Sequence, residues 1–595
     1  MDSFEIKEHD VLVIGAGGAG LRASIEASAQ GVSVGLVCKS LLGKAHTVMA
    51  EGGMAASLRN ADPRDNWEVH FRDTIRGGKH LNNWRMVEIF CQEAPERVAE
   101  LEEWGALFDR TKEGLIAQRN FGGHRYPRLA HVGDRTGLEL IRTLQNHGIH
   151  QGLDIYMECC IVDLILEDGK VTGAFGFWRE SGNFIVFRAK SVILATGGLG
   201  KVYRVTSNSW EGTGDGHALA YRAGAELIDM EFVQFHPTGM VWPPSVQGIL
   251  VTEGVRGEGG VLKNSEGQRF MYDYIPDAFA PETSDTEEEA ERWLAGDPEA
   301  RRPPELLTRD VVARAIRSER LAGRGSPHGG AFLDIASRRD AEYIKKKLPS
   351  MYHQFMKLGN LDIPTPPMEV GPTCHYVMGG VRVDPETAMT TVEGLFAAGE
   401  AAGGMHGANR LGGNSLTDLL VFGARAGLHA AKHAREVKIS SSAPREQLEN
   451  LEQLCLDPFN PDRSENPYAL MSDLQETMEL HAGIVRARDE MEKGLELLGE
   501  LKQRAEKVRV EGHRQYNPAW HYALDLRNLL CVAEAIALAA LKREESRGGH
   551  TREDFPESSS DLQKVNAIIR EENGIMVHEH REREAMPSHL EKLLN

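Results

Sequence analysis

Glycines 15, 17 and 20 close a short apolar run, DVLVIGAGGAG, that begins at Asp10. Glycines at this spacing let the backbone turn sharply and approach a pyrophosphate resting on a helix N-terminus. The implied chemistry is dinucleotide binding. The acid that usually ends the second strand of such a unit and holds the ribose hydroxyls is absent, and Cys38 and Lys39 stand there instead. This weakens the case for NAD as a free cosubstrate. Asp215, in a GDG turn, and Glu400, after a later strand, are polar anchors for a bound cofactor or else solvated loop acids. Seven cysteines (38, 91, 159, 160, 374, 455 and 531) include no CxxC pair and no ferredoxin-like spacing. Any iron–sulfur cluster that takes electrons from this chain must therefore sit on another polypeptide. No disulfide framework is expected, and a reducing, cytoplasmic setting is favoured.

The loop needs a frame. A helix rich in small residues follows it (21–30), then a strand at 32–37, which makes the first βαβ unit of a dinucleotide fold. SVILATGGLG at 191–200 and GLFAAGEAAGG at 394–404 are two more strands ending in glycine turns. Together they predict one α/β, Rossmann-like FAD-binding domain whose sheet is completed from near residue 400. Residues 239–357 interrupt it as a capping domain, so the FAD-binding parts are 1–238 and 358–436. Within the cap, 280–305 carries nine acids against three basic residues and reads as an exposed insertion. Apolar residues at helical spacing (Leu470, Leu474, Met478; Met491, Leu495, Leu498) predict a helical domain over 437–547. A small, polar C-terminal extension, 548–595, offers few core candidates.

Across all 595 residues the net charge is −20, which disfavours general affinity for nucleic acid or anionic lipid. The best apolar run, Leu529 to Leu541, is too short for a membrane span and contains Glu534, so it reads as a buried helix. No basic segment followed by an apolar core opens the chain, so no signal peptide is expected.

Residues 45–53, AHTVMAEGG, resemble the flavin-attachment motif of succinate dehydrogenase and fumarate reductase flavoprotein subunits. The likeness continues through QFHPTG (234–239), TEGVRGEGG (252–260), RDVVAR (309–314), PTCHYVMGG (372–380), HGANRLGGNSL (406–416) and RGGHTREDFP (547–556). It implies FAD bonded through its 8α-carbon to a nitrogen of His46, with further cofactor contacts at Ala16, Gly18, Ala19, Lys39, Thr47, Gly52, Gly53, Ser415 and Leu416. It places His236 and Thr252 on one carboxylate of a four-carbon dianion, and His375 and Arg410 on the other. Arg410 has the strongest physical case, because a planar guanidinium can grip a carboxylate with two hydrogen bonds. Arg309 would exchange the substrate proton, and Glu253 and Arg256 would relay it to solvent.

The covalent bond has a chemical reason. Succinate offers an unactivated CH₂–CH₂ unit, and its oxidation needs a flavin of raised potential. L-aspartate oxidase, a soluble relative that starts from an easier C–N centre, lacks the histidine and is the first rival reading. A non-catalytic flavin relay protein is the second. Resemblance further implies an iron–sulfur subunit, with a membrane anchor that holds quinone, and a peripheral place on the cytoplasmic face of the cell membrane through those partners. Succinate oxidation is the favoured direction, with fumarate reduction as the alternative. Glu51 points to a low-potential acceptor such as menaquinone, since a negative charge beside the flavin disfavours its reduced anion. The helical section and RGGHTREDFP either offer docking surface or buttress the FAD domain.

Overall fold

The computed structural model describes residues 4–297, 299–438 and 444–594. Its largest sheet grows from strand Glu5–Ile14, which runs parallel to Val34–Cys38 on one side and Phe184–Leu194 on the other. Helix Gly18–Ala29 makes the first crossover. Val11, Leu12 and Val13 are fully buried, as a central parallel strand covered on both faces requires. Asp154–Met157 extends the sheet beyond Val34–Cys38. On the far side Phe184–Leu194 divides its partners. Residues 184–188 pair antiparallel with Lys170–Trp178, and 192–194 pair in parallel with Leu395–Ala397. The glycine turn near residue 400 therefore does close the FAD-binding sheet.

Between those halves lies an antiparallel sheet ordered Val233–Met240, Met368–Val377, Ala331–Asp334, Val261–Lys263. Its first strand shifts register on both sides of Phe235 and His236, and such bulges re-aim side chains. Helix Arg309–Leu321 buries Val311, Val312, Ala315 and Ile316 in a core with Leu262, Leu333 and Val370. That helical-spaced stripe fixes the helix, and with it the arginine at its first position.

Two stretches carry more order than the sequence shows. The acidic stretch is largely exposed, as expected, but it is ordered: it folds a helix, Glu287–Leu294, capped by Thr286 and seated by the fully buried Ala290. Arg301 pairs with Glu289 and Asp285, and Arg338 with Glu287. The polar tail also contains structure. Val565–Glu572 and Ile575–Glu582 form a hairpin whose inner strand pairs with Leu227–Ile228. Only Ala567, Ile568 and Ile569 are buried along it, too short an apolar signal to read as a strand.

Helices Pro467–His481, Arg488–Ala505 and Pro518–Lys542 pack together, with Trp520 fully buried and its indole N–H donating to the Cys455 carbonyl at 2.8 Å. The run Leu529 to Leu541 lies inside the last of these. Among the described residues no helix is long and apolar enough to cross a membrane. All seven cysteines are free thiols. The start of RGGHTREDFP buttresses the FAD-binding part, while Glu553, Asp554 and Pro556 of the same stretch are exposed. His550 and Arg552 are fully buried, and the Gly549 N–H donates to the Ala408 carbonyl at 2.8 Å. Gly548 has φ +55°, and a Cβ there would fall 2.3 Å from the same carbonyl, two residues from Arg410.

Candidate active site

A cavity of 210 Å³ opens at the carboxyl ends of the parallel strands, where open α/β sheets bind ligands. Its wall contains Gly15, Ala16, Gly17, Gly18, Ala19, Lys39, His46, Thr47, Asp215, Glu400, Ser415 and Leu416, together with His375 and Arg410. Gly20, Gly52 and Gly53, expected at the cofactor, are not on that wall. A Cβ on Gly20 would fall 1.8 Å from the Gly15 carbonyl, so this glycine lets helix and loop approach each other. Gly52 packs against the Phe121 ring, and its carbonyl accepts from Arg119 Nε at 2.8 Å. A carboxylate from elsewhere in the chain stands near the end of the second strand. The Lys39 ammonium donates to Asp215 Oδ2 at 3.0 Å, so the GDG turn delivers a carboxylate to the strand end.

His46 begins a short 3₁₀ turn, His46–Met49, at the cavity edge. Its Nδ1 is buried and has no hydrogen-bond partner. Burial, reinforced by the Lys201 charge, pushes the imidazole down to about 4, so at neutral pH the ring is uncharged and keeps a nucleophilic lone pair. An unpartnered neutral imidazole beside a glycine-lined cavity fits attachment to FAD. Burial, then the charge of Asp134, pushes the Glu51 carboxyl well above the usual range, and Oε2 has no partner. Burial and Asp134 thus oppose the negative charge expected there, whereas Arg119 favours it.

Beyond His375 and Arg410 the cavity meets the cap. One amide oxygen, Gln234 Oε1, accepts from Arg309 Nη1 at 3.1 Å and from Arg410 Nη2 at 3.0 Å. The Gln234 amide nitrogen in turn donates to Asn409 Oδ1 and the Arg410 carbonyl. Arg410 also donates to Ser415 Oγ at 3.0 Å and lies 4.4 Å above the Tyr376 ring. Burial, then repulsion from Arg309, pushes it down to about 9. The rings of His236 and His375 are 5.3 Å apart. Burial, then the Arg309 charge, holds both well below the usual histidine range. They are neutral hydrogen-bonding groups, and the arginines are the cations. Ser207 Oγ fixes His375 Nδ1 at 2.8 Å.

Thr252, Glu253 and Arg256 complete the cap side. Thr252 is buried, and its Oγ1 accepts from the Gly254 N–H at 3.3 Å. Glu253 Oε2 accepts from Arg309 Nε at 3.3 Å and lies 3.7 Å from Arg256 Nη2; Oε1 accepts from the Gly122 N–H at 3.0 Å. Burial raises this carboxyl, but Arg256, Arg309 and the amide outweigh it and hold it below its usual range. Burial depresses Arg309 and Arg256 in turn. A polar chain thus runs Arg410–Gln234–Arg309–Glu253 through hydrogen bonds and reaches Arg256 by an ion pair at 3.7 Å. Gln234 and Ser207 belong to this network and are not singled out by the sequence. Gln234 stands inside QFHPTG, two residues from His236, and that spacing along a strand is the signal that could have found it.

The FAD binding domain family matches residues 10–416, and the family described as fumarate reductase flavoprotein C-term matches 471–587. One chain of the fumarate reductase (CoM/CoB) of Methanothermobacter marburgensis is 46% identical, over 93% of this chain and 96% of its own. The succinate dehydrogenase flavoprotein of Coxiella burnetii is 37% identical over 94% and 93%. Among solved structures, Mycobacterium smegmatis Sdh1 in complex with UQ1 is 56% identical, with a TM-score of 0.86 over 98% of this chain and 95% of that one.

Proposed function

The chain belongs to the family of succinate dehydrogenase and fumarate reductase flavoprotein subunits, and from that footing we propose that it interconverts succinate and fumarate at covalently bound FAD. Succinate oxidation is the favoured direction. Electrons leave through an iron–sulfur subunit to quinone in a membrane anchor, which holds the chain peripherally at the cytoplasmic face of the cell membrane. The observation that carries the reading is the pairing of Arg309 and Arg410 on one amide oxygen beside two neutral histidines, next to the cofactor cavity. Two cations and two neutral donors in a water-poor pocket suit a short dianion, whose carboxylates are costly to desolvate unpaired.

FAD, when bound through His46, supplies the hydride acceptor. The chain's own residues do the rest. Arg410 and His375 hold one carboxylate, and His236 and Thr252 hold the other. Arg309 exchanges the proton at the neighbouring carbon, and Glu253 and Arg256 carry it onward. Because Arg309 and Glu253 come from the cap and Arg410 from the FAD-binding part, the set is complete only when the two are apposed, which also excludes water.

Mass spectrometry of the peptide containing His46 should show an FAD adduct, and dye-linked succinate turnover should be inhibited by malonate. Protein that releases all its yellow colour on denaturation, with turnover indifferent to malonate, would sink the reading. Fumarate reduction as the working direction draws support from the Methanothermobacter relative's name; rates with dyes of high and low potential distinguish the two.

Gln234 gives a further expectation. In Gln234→Leu the two guanidiniums lose their shared acceptor and face each other bare. KM for succinate should rise about tenfold, the scale of a lost hydrogen bond to a charged group, with kcat changed less. Steady-state kinetics decide: an unaltered KM would mean that substrate orders the arginines unaided.

A further inference from the structure

Lys39 forms part of the wall of the cofactor cavity and also lines a second, much smaller cavity on its other side. Helix Pro518–Lys542, far along the chain, supplies Asp525 and Asn528 to that second space. The Lys39 ammonium has three donors, and all three are taken: Thr213 Oγ1 at 2.9 Å, Asp215 Oδ2 at 3.0 Å and Asp525 Oδ1 at 2.6 Å. Asp215 Oδ1 accepts from Thr213 Oγ1 and from Asn528 Nδ2, both at 2.8 Å.

Lys39 therefore has no N–H left for a ligand, whereas Asp215 keeps acceptor capacity facing the cavity. Its position at the end of the second strand is where a dinucleotide's adenosine ribose is held. We propose that Asp525 is a positioning residue for the adenosine half of the cofactor: it anchors Lys39 from behind, and the lysine and Asn528 set the orientation of Asp215. The helical domain thereby becomes part of the cofactor site. The inference rests on reading the cavity as the FAD site and adds a residue that lies outside every motif of the sequence.

The arrangement is held by its hydrogen bonds rather than by charge balance. One buried lysine between two carboxylates leaves a net negative charge when all three are ionised, and such a cluster persists only where each member is hydrogen-bonded. Without Asp525, Lys39 is free to swing onto Asp215 and occupy the face that the ribose would use.

The test uses full-length protein carrying His46→Ser, so that FAD binds reversibly, and titrates FAD, ADP and FMN by fluorescence. Adding Asp525→Ala should weaken FAD and ADP about tenfold, the scale of one lost charge-assisted contact, and leave FMN, which lacks adenosine, within twofold. Asp525→Asn keeps an oxygen toward Lys39 and should fall between, and it carries the test if the alanine variant does not fold. Equal weakening of FMN, or unchanged FAD and ADP binding, overturns the proposal. Failure of the broader functional reading would appear separately, as no succinate turnover by the protein with His46 and Asp525 intact.

Discussion

His46→Ser should leave a yellow protein that loses all its FAD on acid precipitation and oxidises succinate at least about a hundredfold more slowly. Fumarate reduction with a low-potential dye should stay within about tenfold of the parent. Withdrawing hydride from an unactivated CH₂–CH₂ unit needs a high flavin potential, and the covalent bond is taken to supply it. For a two-electron couple, a fall of roughly 60 mV shifts the equilibrium about a hundredfold against succinate oxidation, and the reverse reaction does not suffer from it. Cofactor should be retained because the glycine loop and the Lys39–Asp215 pair do not depend on residue 46. A pH test follows from the same ring. With its pKa pushed down to about 4, His46 is neutral throughout the range above that value. FAD attachment to apoprotein should therefore be nearly flat with pH down to about 5 and decline below it. An ordinary histidine would already lose rate at about 6.5. A serine variant that oxidises succinate at the parental rate would remove the reason for the bond.

What could be read from the amino-acid order follows from how local each feature is. The glycine loop and its flanking strand are one contiguous signal, and the structure places them as read. His46 and the arginines are legible as phrases, because each sits in a run of specific neighbours. Their relation is not. Arg309 and Arg410 lie far apart in sequence, and the Gln234 amide oxygen joins them. Lys39, Asp215 and Asp525 come from three separate segments, so the lack of an acid after the second strand can be noticed, but not the carboxylate that stands near it. Glu51 is legible as a residue but not as a charge. A carboxylate's charge depends on its burial and its charged neighbours, here Asp134 and Arg119, which the chain brings together only on folding. The C-terminal hairpin is hidden by its exposure: one face is polar, and three buried residues hold it.

Arg309→Lys should cost roughly 10³-fold in kcat in both directions, within the range that a positioned acid–base group contributes, while FAD stays attached. The shorter, single-pronged cation cannot span both Glu253 Oε2 and Gln234 Oε1, which the guanidinium bridges through Nε and Nη1. Two losses then separate kinetically. Losing the bridge to Gln234 frees Arg410 and raises KM; misplacing the proton donor lowers kcat. The pH profile assigns the second. Succinate oxidation needs residue 309 in its proton-accepting form, so the parental rate should rise with pH, and fumarate reduction, which needs the proton-bearing form, should fall. Burial already holds Arg309 below the ordinary guanidinium range against the pull of Glu253, which is the direction required for a guanidinium to exchange a proton. Lysine starts lower, near 10.4, and the same burial lowers it further. Both limbs should therefore move to lower pH in the variant. Glu253→Gln, with Arg309 intact, should move them the same way, because it removes the carboxylate that stabilises the charged guanidinium. A lysine variant whose kcat stays within tenfold, on an unshifted profile, would assign Arg309 to charge binding alone and leave the proton to another group.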